Sequence, residues 1–151
     1  MMVAALAMLV VLIGGIPATA RAARPLVAGT VLSRVDPDVR RLSVRASHDA
    51  GRVRFVHRGV AGVSRFTGKV ACAVHDGDVI RLTGRVVTGE TAAGVVLSGK
   101  DFGFTLGVGV EPQTFSLPRF DAPGKLVACS GGQTTQVPVT AGQLRVGAVG
   151  R

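Results

Sequence analysis

From Arg40 onward apolar and polar side chains alternate with a period of two, and no stretch sustains the 3.6-residue period of a helix. Leu42, Val44 and Ala46 interleave with Arg41, Ser43 and Arg45, then Val53 and Phe55 with Arg52 and Arg54. Between the two runs, Ser47-His48-Asp49-Ala50-Gly51 has the polar, glycine-ended composition of a hairpin turn. Strands joined by short turns pair with their sequence neighbours. The expected fold is therefore all-β: an antiparallel meander forming a small barrel or a β-sandwich, preceded by an N-terminal signal helix. A chain of 151 residues makes one ordinary domain. Its 21 glycines and sparse charge exclude a coiled coil, and its 47% apolar content excludes a disordered chain.

The signal helix is read from residues 1–20, which carry no charged side chain and contain an unbroken apolar run over 3–13. Gly14, Gly15 and Pro17 end that run, and Ala18 and Ala20 supply the small-x-small spacing of a signal-peptidase site. No Lys or Arg precedes the run, which departs from the usual pattern. The alternative is an uncleaved membrane anchor, but the span is interrupted well before about 18 apolar residues. Arg21 and Arg24 also follow the run, the arrangement of an inverted orientation. The layout is thus a signal peptide over 1–20, a lead-in or short strand over 21–39 and one β-domain over 40–151. The mature domain does not span a membrane, and its expected location is secreted or associated with the cell envelope. Export suits the two cysteines: Cys72 and Cys129 are expected to form a disulfide, which would constrain the unfolded chain by about 4 kcal/mol. Neither has the CxxC or neighbouring His spacing of a metal site.

The most strongly patterned hairpin runs from Phe66 to Val86. Phe66, Val70, Cys72 and Val74 share one strand face; Ile80, Leu82 and Val86 share one face of the next. A two-residue turn at Asp76-Gly77 puts those faces out of phase. A three-residue loop, His75-Asp76-Gly77, sets Cys72 opposite Ile80, Val70 opposite Leu82 and Phe66 opposite Val86, with Gly77 as the left-handed residue of a G1 bulge. That register is the expected one, because a slip of one residue exposes a whole face. Thr67-Gly68-Lys69, Thr83-Gly84-Arg85 and Ser98-Gly99-Lys100 recur at the spacing of one strand plus one turn. Glycines in mid-strand, such as Gly68 and Gly84, mark bulges or bends where a sheet curls. Further strands are expected at 95–97, 102–110, 115–117, 126–129 and 144–146.

The run from Gly68 through Cys72 to Asp78, followed by Leu82-Thr83-Gly84-Arg85-Val86, resembles a signature of small exported actinobacterial β-domain proteins related to the post-COAP type. Asp101-Phe102-Gly103, Phe115-Ser116-Leu117, Cys129 and the Gly142-Gln143-Leu144-Arg145-Val146 strand extend the similarity over roughly 48–146. The resemblance implies an extracellular β-domain of unassigned function, with no catalytic residue to carry over.

Enzymatic motifs are absent. His48-Asp49 and His75-Asp76 fall in expected turns, where Asp serves turn hydrogen bonds. His57 follows Phe55 on the same strand face, as a partly buried or surface histidine. There is no Gly-x-Ser-x-Gly, Gly107-Val108-Gly109 precedes no helix, and Glu90 and Glu111 lie in turns. No cofactor and no metal are expected. An apolar ligand inside a hollow barrel is a further option that sequence does not decide.

Charge carries the functional content. The chain has 18 Lys and Arg against 9 Asp and Glu, all 18 of them after Ala20. Lys69, Arg81 and Arg85 fall on the outward face of the hairpin, and Arg52, Arg54 and Arg58 on one face of an earlier strand. Such stripes suit anionic wall polymers, lipid headgroups or extracellular DNA. With no Trp or Tyr, stacking on single-stranded bases is disfavoured and no specific nucleic-acid partner is expected. The competing role for these charges is solubilising strand faces. The expected function is a non-catalytic structural or interaction module, or alternatively a binder of anionic polymers through its arginine-rich strands.

Overall fold

In a computed structural model, the structure describes residues 24–147; the expected signal helix and the Ala18 and Ala20 cleavage site lie outside them. The described residues contain ten strands and no helix. In chain order they are β1 (Val27–Val35), β2 (Asp38–Ala46), β3 (Gly51–Gly59), β4 (Gly62–Asp76), β5 (Val79–Glu90), β6 (Asp101–Gly107), β7 (Thr114–Ser116), β8 (Arg119–Asp121), β9 (Gln136–Pro138) and β10 (Ala141–Val146). All pairings are antiparallel, in the order β10-β1-β2-β3-β4-β5-β6-β7-β9, with β8 on β6. The meander curls into a half-barrel. β1 lies within the segment read as a lead-in and is a full strand between β2 and β10.

The two ends of the sheet are tied together by a side chain. Gln113 donates its amide N–H to the Leu144 carbonyl at 3.0 Å, and its amide oxygen accepts from the Leu144 N–H at 2.8 Å. One buried glutamine thus gives β10 both bonds that a neighbouring strand residue would have made. The corner between β9 and β10 adds Val139 N–H to the Gln113 carbonyl and Thr140 N–H to the Leu32 carbonyl.

Alternation sends every second side chain inward, where Leu42, Val44, Val53, Phe55, Phe66, Ile80 and Leu82 join one hydrophobic cluster. Phenylalanine fills its centre. Phe66 has its ring centroid 5.2–6.0 Å from those of Phe55, Phe102, Phe104 and Phe120. These separations lie in the range where aromatic pairs attract.

The β4–β5 register differs from the expected one. The turn is Gly77-Asp78, with Asp76 opposite Val79 and Gly77 at a φ of 59°. Ile80 therefore faces His75, Leu82 faces Ala73 and Val86 faces Gly68, instead of Cys72, Val70 and Phe66. The turn position sets this register, and two bulges further along reconcile it with the inward faces of both strands. Ala71 is an extra residue in β4 between Val70 and Cys72, and Val87 an extra one in β5 beside the Thr67–Gly68 step. Each reverses the strand's phase. Phe66, Gly68, Val70 and Ala73 all face inward, while Cys72 turns to the outer side. Gly84 lies opposite Val70 and Gly68 opposite Val86, so both mid-strand glycines flank the bulges as expected.

Residues 126–129 form no strand. Their segment, within the long connection between β8 and β9, lies over the outer face of β5 and β6. Its N–H groups go to side chains rather than to a sheet edge: Leu126 to Asp101 at 3.2 Å, Cys129 to Thr83 at 2.9 Å and Gly132 to Thr105 at 3.1 Å. The expected Cys72–Cys129 disulfide is present, and it pins this connection to the sheet. Residues 95–97 contribute a single bridge, Val96 to Glu90, and not a strand. Among the described residues no helix is long and apolar enough to cross a membrane.

Candidate polyanion-binding face

The connection that covers β5 and β6 leaves the outer face of β1 to β4 open. Strand alternation decides what stands there, because residues opposite Leu42, Val44, Val53 and Phe55 in phase must point outward. They are Arg41 and Arg45 on β2, and Arg52, Arg54 and Arg58 on β3, all exposed. Antiparallel pairing then lines them up across strands. Arg45 is directly opposite Arg52, Arg52 opposite Lys69, and Lys69 opposite Arg85. Each such like-charged pair works against the sheet by up to about 1 kcal/mol.

The next row on the same face is Thr30, Ser43, Arg54, Thr67 and Thr88. Thr30 and Ser43 share a hydrogen bond of 2.9 Å, as do Thr67 and Thr88, so the hydroxyls on either side of Arg54 satisfy one another. Around these rows the surface is hollowed into two adjoining depressions of about 410 and 660 Å³, which share Ser43 and Arg54. Arg34, Arg41, Arg45, Arg52, Arg54, Arg58 and Lys69 line them, and no Asp or Glu does. Among the described residues none of those seven is in an ion pair. From Arg52 to Arg58 the furrow runs along β3 for roughly 20 Å at the rise of an extended strand.

The six cations singled out from sequence divide into two groups. Arg52, Arg54, Arg58 and Lys69 stand in the furrow. Arg81 donates to Asp76 at 2.6 Å, and Arg85 reaches Asp101 from Nε at 3.2 Å and Nη2 at 3.0 Å, so both already have carboxylates. Arg34, Arg41 and Arg45 belong to the furrow and escaped the sequence reading. Arg41 and Arg45 carried a usable signal, since they sit out of phase with Leu42 and Val44 as Arg52 and Arg54 do with Val53 and Phe55. The pairing of β2 with β3 that merges the two stripes is not a property of either strand alone.

The histidines are dispersed. His48 and Asp49 are exposed in the bend between β2 and β3 as expected, whereas His75 and Asp76 are not in the turn but are the last two residues of β4, opposite Ile80 and Val79. His57 is half-buried on the inner side, with Nε2 donating to Asp38 at 2.9 Å. Among the described residues no three His, Cys, Asp or Glu side chains are grouped to hold a metal ion. Comparison of the chain with protein-family models, with curated proteins and with solved structures gives no match.

Proposed function

We propose that this chain is an exported, non-catalytic β-domain that binds a linear anionic polymer of the cell envelope along the furrow of β1 to β4. The observation that carries the reading is the furrow's composition: seven cations, no acid and no ion pair, with Arg45, Arg52 and Lys69 held side by side against their mutual repulsion. An arriving polyanion relieves that repulsion and releases its own counterions. A concave strip favours a thread over the plane of a bilayer. The phenylalanines of the core are turned away from it, so contact is with phosphate or carboxylate groups and not with stacked bases. Export rests on residues 1–20 and the exported type of β-domain on the resemblance of residues 48–146.

Titration with fluorescent polyphosphate at 50 and 200 mM salt tests this. Binding is expected to weaken by at least about tenfold over that range, and substituting Arg45, Arg52, Arg54 and Lys69 by Ser to abolish it. The same substitutions are expected to leave the free protein as stable or more stable, since they remove opposed like charges. Replacing Arg81 and Arg85 by Ser is expected to cost far less affinity. Polyphosphate binding that survives the fourfold substitution refutes the assignment, and stronger binding to phosphatidylglycerol vesicles than to the polymer redirects it to a membrane surface.

A further inference from the structure

The furrow changes character from one end to the other. Its outward side chains cross β1 to β4 in successive rows, set by the pairing. Nearest the bend between β2 and β3, the first row is Ala28, Arg45, Arg52 and Lys69, and the second is Thr30, Ser43, Arg54 and Thr67. These two rows hold cations and hydroxyls, with alanine as the one apolar side chain. The third row is Leu32, Arg41, Val56 and Arg65, and the fourth is Arg34, Val39, Arg58 and Val63. Here arginine and aliphatic side chains alternate both across the strands and along them. Beyond the fourth row come the β1–β2 and β3–β4 turns, where Val35 and Val63 are exposed and Val60 is 89% exposed.

The depression of about 410 Å³ occupies this second half: Leu32, Val39 and Val56 line it beside Arg34, Arg41 and Arg58, with Arg54 and Ser43 at its border with the second row. Leu32, Val39 and Val56 are half-buried and stand on the outer side, apart from the hydrophobic cluster of the core. A purely ionic thread gains nothing from an aliphatic floor, whereas an anion that carries hydrocarbon does. We propose that this half of the furrow binds an alkyl phosphate, the lipid-linked end of the anionic polymer. The phosphate sits among Arg41, Arg54 and Arg58, which are exposed and in no ion pair. The first methylenes lie on Leu32, Val39 and Val56, and the chain leaves past Val60 and Val63. Asp36, exposed in the β1–β2 turn, puts a negative charge at that end, which keeps the phosphate over the arginines. Polymer units then continue over Arg45, Arg52 and Lys69. This assignment deepens the reading of the furrow as a polymer site and rests on it.

Ethyl, butyl, hexyl and octyl phosphate are the probes, alike in charge and each kept below the concentration at which it forms micelles. In calorimetric titrations octyl phosphate is expected to bind at least about tenfold more tightly than ethyl phosphate, the increment for covering about two methylenes. Leu32→Thr, Val39→Thr and Val56→Thr together keep side chains that suit a strand. They are expected to bring that ratio below about threefold by removing the aliphatic floor, and to leave polyphosphate affinity unchanged. In the unaltered protein, octyl phosphate is expected to shift the methyl resonances of Leu32, Val39 and Val56 and ethyl phosphate to leave them unmoved, a readout that stands even where the triple variant fails to fold. Affinity that does not grow with chain length, growth that persists in the folded triple variant, or unshifted methyl resonances overturns the proposal. Phosphatidic acid vesicles that bind where octyl phosphate does not overturn it in favour of a bilayer surface. Chain-length dependence without any binding of polyphosphate supports the alkyl phosphate site and refutes the polymer reading, so the two failures are distinguishable.

Discussion

Asp101 shows how one side chain can be committed to the fold and not to function. It is 7% exposed at the start of β6, bonded to Arg85 on one oxygen and to the Leu126 N–H on the other. Burial is the largest influence on its carboxyl and acts to raise the pKa; the bonds from Leu126 and Arg85 together outweigh it and leave the pKa below 3.8. Because the folded carboxyl ionises below its unfolded value, its contribution is complete above about pH 4 and is lost as the pH falls through the lower folded value. Asp101→Asn is expected to lower stability by about 2 kcal/mol at pH 7, with the gap from the parent closing below pH 4. Thermal melts from pH 7 to pH 2 check this, and a gap independent of pH removes the ionic account. The Asp101–Arg85 pair also explains why Arg85, legible in sequence as an outward cation, is not available to a ligand. Its partner comes from a strand 16 residues away, and no periodicity in β5 announces it.

At the level of the strand, Gly84 decides how β4 and β5 approach. A Cβ at this position would collide with the backbone carbonyl of Lys69, which has no freedom to rotate away. Gly84→Ala is expected to destabilise the protein by about 1–3 kcal/mol, read as a lowered denaturation midpoint in urea, whereas Gly77→Ala is strained only by its backbone angle, with nothing near its Cβ. A midpoint for Gly84→Ala equal to the parent's refutes the close approach. Individual strands were legible here because alternation is local: the inward phase of Leu42, Val44, Val53 and Phe55 needs no partner to be read. The hairpin register was not, because Ala71 and Val87 look like ordinary strand residues. Only pairing reveals them as extra: Ala71 shifts the register by one residue and Val87 shifts it back, so Phe66 with Gly89 keeps the register that the Gly77-Asp78 turn sets at His75 and Ile80. The same limit hid a polar row on the inner side of the sheet, where Ser33, Arg40, His57 and Ser64 are paired across β1 to β4. Arg40 had the parity of an inward residue, but a cation in that phase gains meaning only when Ser33, His57 and Ser64 line up beside it.

For the molecule as a whole, the Cys72–Cys129 bond joins a bulged strand to the connection between β8 and β9 across a separation of 57 residues. Replacing both cysteines by Ser is expected to cost about 2–4 kcal/mol, mainly by freeing the unfolded chain. Since that connection covers β5 and β6 and not the furrow, polyphosphate affinity is expected to persist in the doubly substituted protein under conditions where it remains folded. Loss of affinity in a folded variant would show that the two faces are coupled. Covering one half of the outer surface also leaves the basic half open, an asymmetry invisible in a list of charges. From sequence alone come the all-β class, the inward and outward residues of most strands, the disulfide and the excess of cations, because each follows from short-range alternation or from composition. Tertiary structure decided the register, the half-barrel, and which cations meet and which are neutralised. Those depend on which strands become neighbours, and bulges, corner residues and side-chain bonds between distant segments set that only once the chain has closed on itself.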